Sequence, residues 1–143
     1  MALITTVPAS VTVKSPANAT ITVGTGGESF AAGDALALNA TTSKYMKCDP
    51  DTAANAAFVG IALAPCDADG EPAILCGQAG AVIDLGVSGG LTRAQMYGVA
   101  QTKGRIGALF ADVTAGEVVS YCGYGNTDGH LVIAAVNTGL TKA

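Results

Sequence analysis

Apolar and polar residues alternate along much of the first 25 residues. In segments 3–7, 11–13 and 19–23, β-branched apolar residues are interleaved with Thr. A period of two is typical of a strand that buries one face. Pro8 and Pro16 separate the segments, and a Gly-Thr-Gly-Gly stretch at 24–27 ends the pattern. We therefore predict an extended N-terminal arm or edge hairpin over residues 1–29, followed by a flexible glycine joint.

From Phe30 onward, short apolar runs recur between turn-forming Gly, Asp and Asn residues. The runs lie at 35–38, 44–48, 58–63, 72–76, 80–85, 117–122 and 130–136. Strands at this spacing predict an all-β domain over residues 30–143, either a small barrel or a sandwich. Helix is restricted to one or two short segments. The better start signal is Asp49-Pro50, and a weaker capping pattern begins at Thr92.

Composition narrows the class of protein. The chain is 50% hydrophobic, only 13% charged and carries a net charge of −4, which excludes intrinsic disorder. Seven Lys and Arg residues without a cluster argue against a nucleic-acid partner. We find no apolar run long enough for a transmembrane helix and no signal-peptide pattern near Met1, so a membrane partner is not expected. So little charge on a chain of this size predicts that part of its surface is buried against other chains.

Candidate chemical groups are sparse. The four cysteines are Cys48, Cys66, Cys76 and Cys122, and their gaps contain no CxxC pair. Because zinc sites need ligands at short spacing, we predict free, buried thiols, no metal and no cofactor. His130 is the single histidine, and no Gly-x-Ser-x-Gly motif accompanies it, so no catalytic residue is assigned.

Two Gly- and Asp-rich stretches could be mistaken for ligand-binding loops. Residues 67–71 begin like a calcium loop, but Pro72 and the following strand break that pattern, and a hairpin turn is favoured. Residues 123–129 superficially match a dinucleotide loop. The third Gly is missing and a strand follows instead of a helix, so this stretch predicts a hairpin loop.

Several segments share one texture of Gly-based turns and short strands: 30–39 (FAAGDALALN), 58–63 (FVGIAL) with 69–75 and 80–82, 104–106 (GRI), 114–119 (TAGEVV) and 131–139 (LVIAAVNTG). Together these segments resemble the capsid decoration, or cement, proteins of tailed bacteriophages. The resemblance covers about residues 30–140. It implies a small β-barrel or β-tulip-like domain with no catalytic residues. Such a domain forms a homotrimer on the outer surface of the virion and clamps neighbouring major capsid subunits.

The N-terminal arm is the expected contact with the major capsid protein or with another copy of this chain. Decoration proteins often lay an N-terminal extension on the shell, and an alternating strand can add to a partner's sheet edge. The expected contact residues are Ile4, Val7, Val11, Val13, Ile21 and Val23.

Two other functions compete with decoration. A phage tail or fibre component, or a bacterial surface β-module, would share this composition, but the chain shows no repeat. A small β-barrel enzyme is disfavoured, since the sequence offers one His and no catalytic motif.

Overall fold

The part of the chain that the structure describes contains eleven β-strands. The computed structural model describes residues 4, 6–108 and 115–141, the last five by backbone alone. The strands are β1 (Thr12–Ser15), β2 (Thr22–Thr25), β3 (Ala35–Asn39), β4 (Lys44–Lys47), β5 (Gly60–Ala62), β6 (Pro72–Cys76), β7 (Val82–Asp84), β8 (Met96–Val99), β9 (Ile106–Ala108), β10 (Val118–Gly125) and β11 (Leu131–Thr141). The prediction of an all-β protein is confirmed.

The strands form two antiparallel sheets. One has six strands in the order β1-β7-β11-β10-β8-β9, and the other has five in the order β2-β6-β5-β3-β4. Over the described residues neither sheet closes into a barrel, so of the two predicted architectures the sandwich is the one observed. None of the described helical turns approaches the length and apolar character needed to cross a membrane.

Helical structure is limited to two 3-10 turns among the described residues, Pro8–Ser10 and Ala53–Asn55. The second lies where Asp49-Pro50 predicted a short helix. The Asp49 carboxylate accepts hydrogen bonds from the Asp51 N–H and the Thr52 hydroxyl, which closes a local turn before the helix begins. No helix forms at Thr92, where the weaker capping pattern predicted one, because Ala94 has a positive φ of 63°.

The main core fills the space between the sheets. Side chains from β3, β5 and β6 meet those from β7, β8, β10 and β11. Along β11 the alternation is clear: Leu131 and Ile133 are buried, whereas Val132 and Ala134 on the opposite face are half-buried. The main core is therefore built largely of aliphatic side chains and thiols, and Phe58 and Tyr97 are its aromatic members.

A second core lies on the other face of the five-stranded sheet. Phe30, Leu36, Cys66 and Leu75 cluster there, and the half-buried Tyr45 packs against them. The sheet curls around this cluster until its two edge strands come close at one point. A parallel bridge joins Gly26 to Tyr45, and the Gly27 N–H donates to the Tyr45 carbonyl at 2.9 Å.

The predicted glycine joint at 24–27 is wrong, because these residues are packed. A Cβ on Gly24 would lie 2.5 Å from the Tyr45 ring, and one on Gly26 would lie 2.4 Å from the Cys66 thiol. These glycines allow close approach of backbone to side chain, which is a different use of glycine from flexibility.

The extended arm over residues 1–29 is also corrected by the structure. Strand β1 pairs with β7 in one sheet, and β2 pairs with β6 in the other. The Ile4 N–H donates to the Ile106 carbonyl and the Val7 N–H to the Leu85 carbonyl, both at 3.0 Å. The chain exposes 6611 Å² in total, close to the roughly 6,700 Å² of a compact monomer of this mass. The proposed boundary at residue 29 therefore does not separate two units.

Candidate interaction surface

The six residues predicted to contact a partner do not form one face. Ile4 and Val11 are 7% and 8% exposed and belong to the main core, and Val13 packs against that core. The predicted contact is wrong for Ile4 and Val11, because the protein's own sheets cover them. Val13 is half-buried, and its contact with a partner stays a prediction. Val7, Ile21 and Val23 are 45%, 42% and 70% exposed, and their contact with a partner stays a prediction.

The structure shows an apolar surface that sequence reasoning missed. It lies on the outer face, by which we mean the face of the six-stranded sheet directed away from the five-stranded sheet. Residues in direct cross-strand register form a row there: Met96 on β8 opposes Tyr124 on β10, Tyr124 opposes Val132 on β11, and Val132 opposes Val82 on β7. Met96 and Tyr124 are 46% and 41% exposed, and the two valines are half-buried. We call these four residues the outer row.

A second pair extends this surface along the strands. Tyr121 on β10 opposes Val136 on β11, and Val136 is 50% exposed. Residues directly opposite in an antiparallel pair share a face, so Tyr121 and Val136 lie on the outer face beside the outer row. Burial raises the pKa of Tyr121, and the neighbouring Tyr124 raises it further. The outer row and this pair contain no charged residue.

Sequence alternation could not reveal this surface, because β10 contains a bulge. The register shifts between Tyr121 and Gly123. A bulge inserts one residue and changes which side chains share a face. Tyr121 and Tyr124 are three positions apart, so a regular strand would place them on opposite faces. Because of the bulge, both face outward.

Charged residues flank the outer row on both sides, near the same end of the sheet. Asp84 ends β7, and its carboxylate accepts the Gly86 N–H at 2.8 Å while lying 3.7 Å from His130 Nε2. On the other side of the row, before Met96, Arg93 is exposed. Its backbone forms an isolated parallel β-bridge with Gly125, the last residue of β10. Arg93 forms none of the ion pairs found within the described part of the chain. Opposite charges thus stand on opposite sides of one apolar row.

A separate acidic cluster joins a loop to the start of β10. The Pro50 carbonyl accepts the Val118 N–H at 3.1 Å, and Lys103 Nζ lies 3.8 Å from the Asp49 carboxylate. A hydrogen bond with Glu117 raises the pKa of Asp51. Burial and the negative charges of Glu117 and Asp49 raise this pKa further. Two carboxyl groups that share a hydrogen bond need one proton between them. No group of three potential metal ligands is found among the described residues. The hydrogen bond between Val118 and Pro50 holds the loop against the start of β10.

Most of the candidate nucleophiles lie in the interior. All four cysteines are free and buried, as predicted. Burial raises the pKa of the Cys48 and Cys122 thiols well above their ordinary value. Since the thiolate is the reactive species, these groups act as small apolar side chains. The buried Ser120 hydroxyl is held as an acceptor for the Phe58 N–H at 3.0 Å.

Both Gly- and Asp-rich stretches are turns, as predicted. In the loop between β10 and β11, the Asn126 side chain accepts the N–H groups of Asp128 and His130 at 3.0 and 2.9 Å. In the turn before β6, Gly70 adopts a positive φ of 93° and donates to the Gly26 carbonyl.

Comparison of the chain with protein-family models, curated proteins and solved structures gives no match. The outer face is therefore interpreted from its own geometry.

Proposed function

We propose that this chain is a non-enzymatic structural protein of the virion, and that it works by assembling with other protein subunits. Its proposed role is that of a capsid decoration protein, which binds the outer surface of a phage capsid and stabilises contacts between major capsid subunits. The observation that carries the proposal is the uncharged, partly exposed outer row on the six-stranded sheet.

The chemistry of this face suits a protein partner. The centres of protein–protein interfaces are depleted in charge and enriched in Tyr and Met. Met96 and Tyr124 supply both residue types side by side, on strands whose other faces are fixed by the main core. Contiguous exposed apolar surface of this kind marks interaction sites in soluble proteins. A rigid sheet also loses little conformational entropy when a partner covers it.

Binding to capsids tests the function directly. Purified protein is incubated with expanded, undecorated phage heads, which are then sedimented and heated. We expect saturable binding and a higher temperature of head disruption. Tyr124→Asp places a charge in the outer row and should abolish binding. Leu38→Asp is the matched control, because Leu38 is 43% exposed on β3 of the other sheet and is not among the predicted contact residues.

Two results would contradict the proposal. Wild-type protein that fails to bind heads removes the decoration function, and binding to isolated tails or fibres instead would favour the alternative role. Equal binding by wild type and Tyr124→Asp would show that the outer row is not the contact.

A further inference from the structure

We propose that the partner of the outer face is a second copy of this chain, packed sheet against sheet about a twofold axis. This inference rests on the proposed assembly function and names the occupant of the same face. The axis runs parallel to the strands, between β10 and β11.

The strand order makes this face symmetric about that axis. With the order β1-β7-β11-β10-β8-β9, the axis divides the sheet into three strands on each side. A half-turn places β10 over the partner's β11 and β8 over the partner's β7. The outer row then packs on itself: Tyr124 lies over the partner's Val132, and Met96 lies over the partner's Val82. Tyr121 likewise meets the partner's Val136. Each aromatic or long side chain therefore faces a shorter aliphatic one, which is the complementarity that an isologous contact requires.

The proposed axis also brings the charged residues that flank the outer row opposite each other. Arg93 precedes β8 and Asp84 ends β7, and both lie at the same end of the sheet. A half-turn about an axis parallel to the strands exchanges the two sides of the sheet but not its two ends. Arg93 of each copy therefore faces the partner's Asp84, and the contact is made twice. Long side chains can accommodate the crossing angle of about 30° that aligned sheets adopt.

The size of the face predicts a weak pair. Four strands at about 4.8 Å spacing cover roughly 15–20 Å across the sheet, and the steps from Tyr121 to Tyr124 cover roughly 10 Å along it, so the patch measures about 150–200 Å². That is smaller than the roughly 800 Å² per partner of a standard stable interface. We expect association in the micromolar range or weaker. An isologous contact uses the same patch on both copies, so it pairs chains in twos, and a capsid that binds the outer row competes with this pairing. The isologous contact therefore does not build the homotrimer that the sequence resemblance implies, since a ring of three needs two different surfaces.

Sedimentation of the full chain tests the pairing. Concentrations from about 5 to about 500 µM span the expected dissociation constants. We expect a monomer–dimer equilibrium that Tyr124→Asp weakens by at least about tenfold, as for a residue at the centre of an interface. Leu38→Asp, on the other sheet, should leave the equilibrium unchanged. Circular dichroism of each variant checks that the fold is retained.

Charge reversal tests the geometry itself. Arg93→Asp places two acidic residues opposite each other at both contacts, and Asp84→Lys places two basic residues there, so each variant alone should dimerise less than wild type. In a one-to-one mixture every contact again pairs opposite charges, and we expect mixed dimers to form at lower concentration than either homodimer. Because Asp84 also accepts the Gly86 N–H, the rescue by mixing separates lost pairing from local disturbance.

A strictly monomeric chain, a trimer, or a mixture no stronger than its components would overturn this inference. The head-binding assay separates this inference from the proposed function. A monomer that binds heads refutes the twofold pairing and keeps the proposed function, whereas a dimer that binds no heads does the reverse.

Discussion

Truncation of Ile4 to Ala tests the conclusion that the N-terminal segment belongs to the fold. Ile4 is 7% exposed in the main core, and its N–H donates to the Ile106 carbonyl beside the edge of β9. The Ile4→Ala change removes three carbon atoms, worth about 2.4 kcal/mol at roughly 0.8 kcal/mol per buried methylene. The cavity left behind raises the expected loss to about 2–4 kcal/mol. The backbone hydrogen bond is retained, so the loss reports the packing of the side chain alone.

Urea unfolding followed by circular dichroism measures this loss. We expect a lower midpoint for Ile4→Ala with an unchanged slope. Val23→Ala is the control, since Val23 is also aliphatic and near the N-terminus but 70% exposed, and it should change stability by less than about 0.5 kcal/mol. If Ile4→Ala and Val23→Ala both changed the free energy of unfolding by the same small amount, the reasoning would be refuted. Residues 1–29 would then be interpreted as a separate arm. For the same reason, removing residues 1–15 should destabilise the whole domain, since it deletes β1 along with Ile4 and Val11.

Three further predictions follow from the fold. Gly123→Ala should destabilise the protein by about 3 kcal/mol, because the new Cβ would lie 2.0 Å from the Val132 carbonyl; an unchanged urea midpoint would contradict the β10–β11 register. Glu117→Gln should raise the melting temperature more at neutral pH than near pH 4. The pKa of Asp51 is higher in the folded protein than the value of about 4 in the unfolded chain, so the shared proton stabilises the folded state at low pH. This stabilisation is complete below the unfolded pKa and is lost as the pH rises through the folded pKa. A gain of the same size at both pH values would show that the two carboxyl groups do not share a proton. All four thiols should resist a thiol reagent in the native protein and react after denaturation; rapid labelling of Cys48 or Cys122 in native protein would contradict their burial.

Local features were predictable because they depend on neighbouring residues. The Asn126 and Gly70 turns follow from side-chain hydrogen bonding and from positive φ, both of which act within a few residues. The free thiols follow from their apolar surroundings and the absence of paired spacing. The alternation of β11 likewise identifies Leu131 and Ile133 as core residues before any partner strand is known.

Pairing of strands was beyond the reach of the sequence, and the errors at the N-terminus have this origin. An edge strand such as β1 or β2 pairs on one side only, so it shows the same alternation as an arm that binds another protein. Ile4 reaches the core through contact with Ile106, which lies about a hundred residues away in the chain. No pattern within residues 1–29 encodes that contact.

The sequence by itself therefore determined the turns, the largely aliphatic composition of the core and the strands other than β8 and β9, because hydrophobic period and turn chemistry are local properties. Only the tertiary structure decided which strands share a sheet, that the N-terminal segments complete both sheets, and that Met96, Tyr124, Val132 and Val82 meet in one row. That row depends on register between strands distant in sequence and on a bulge in β10. Both arise from non-local hydrogen bonding, which the order of residues along a single strand does not display.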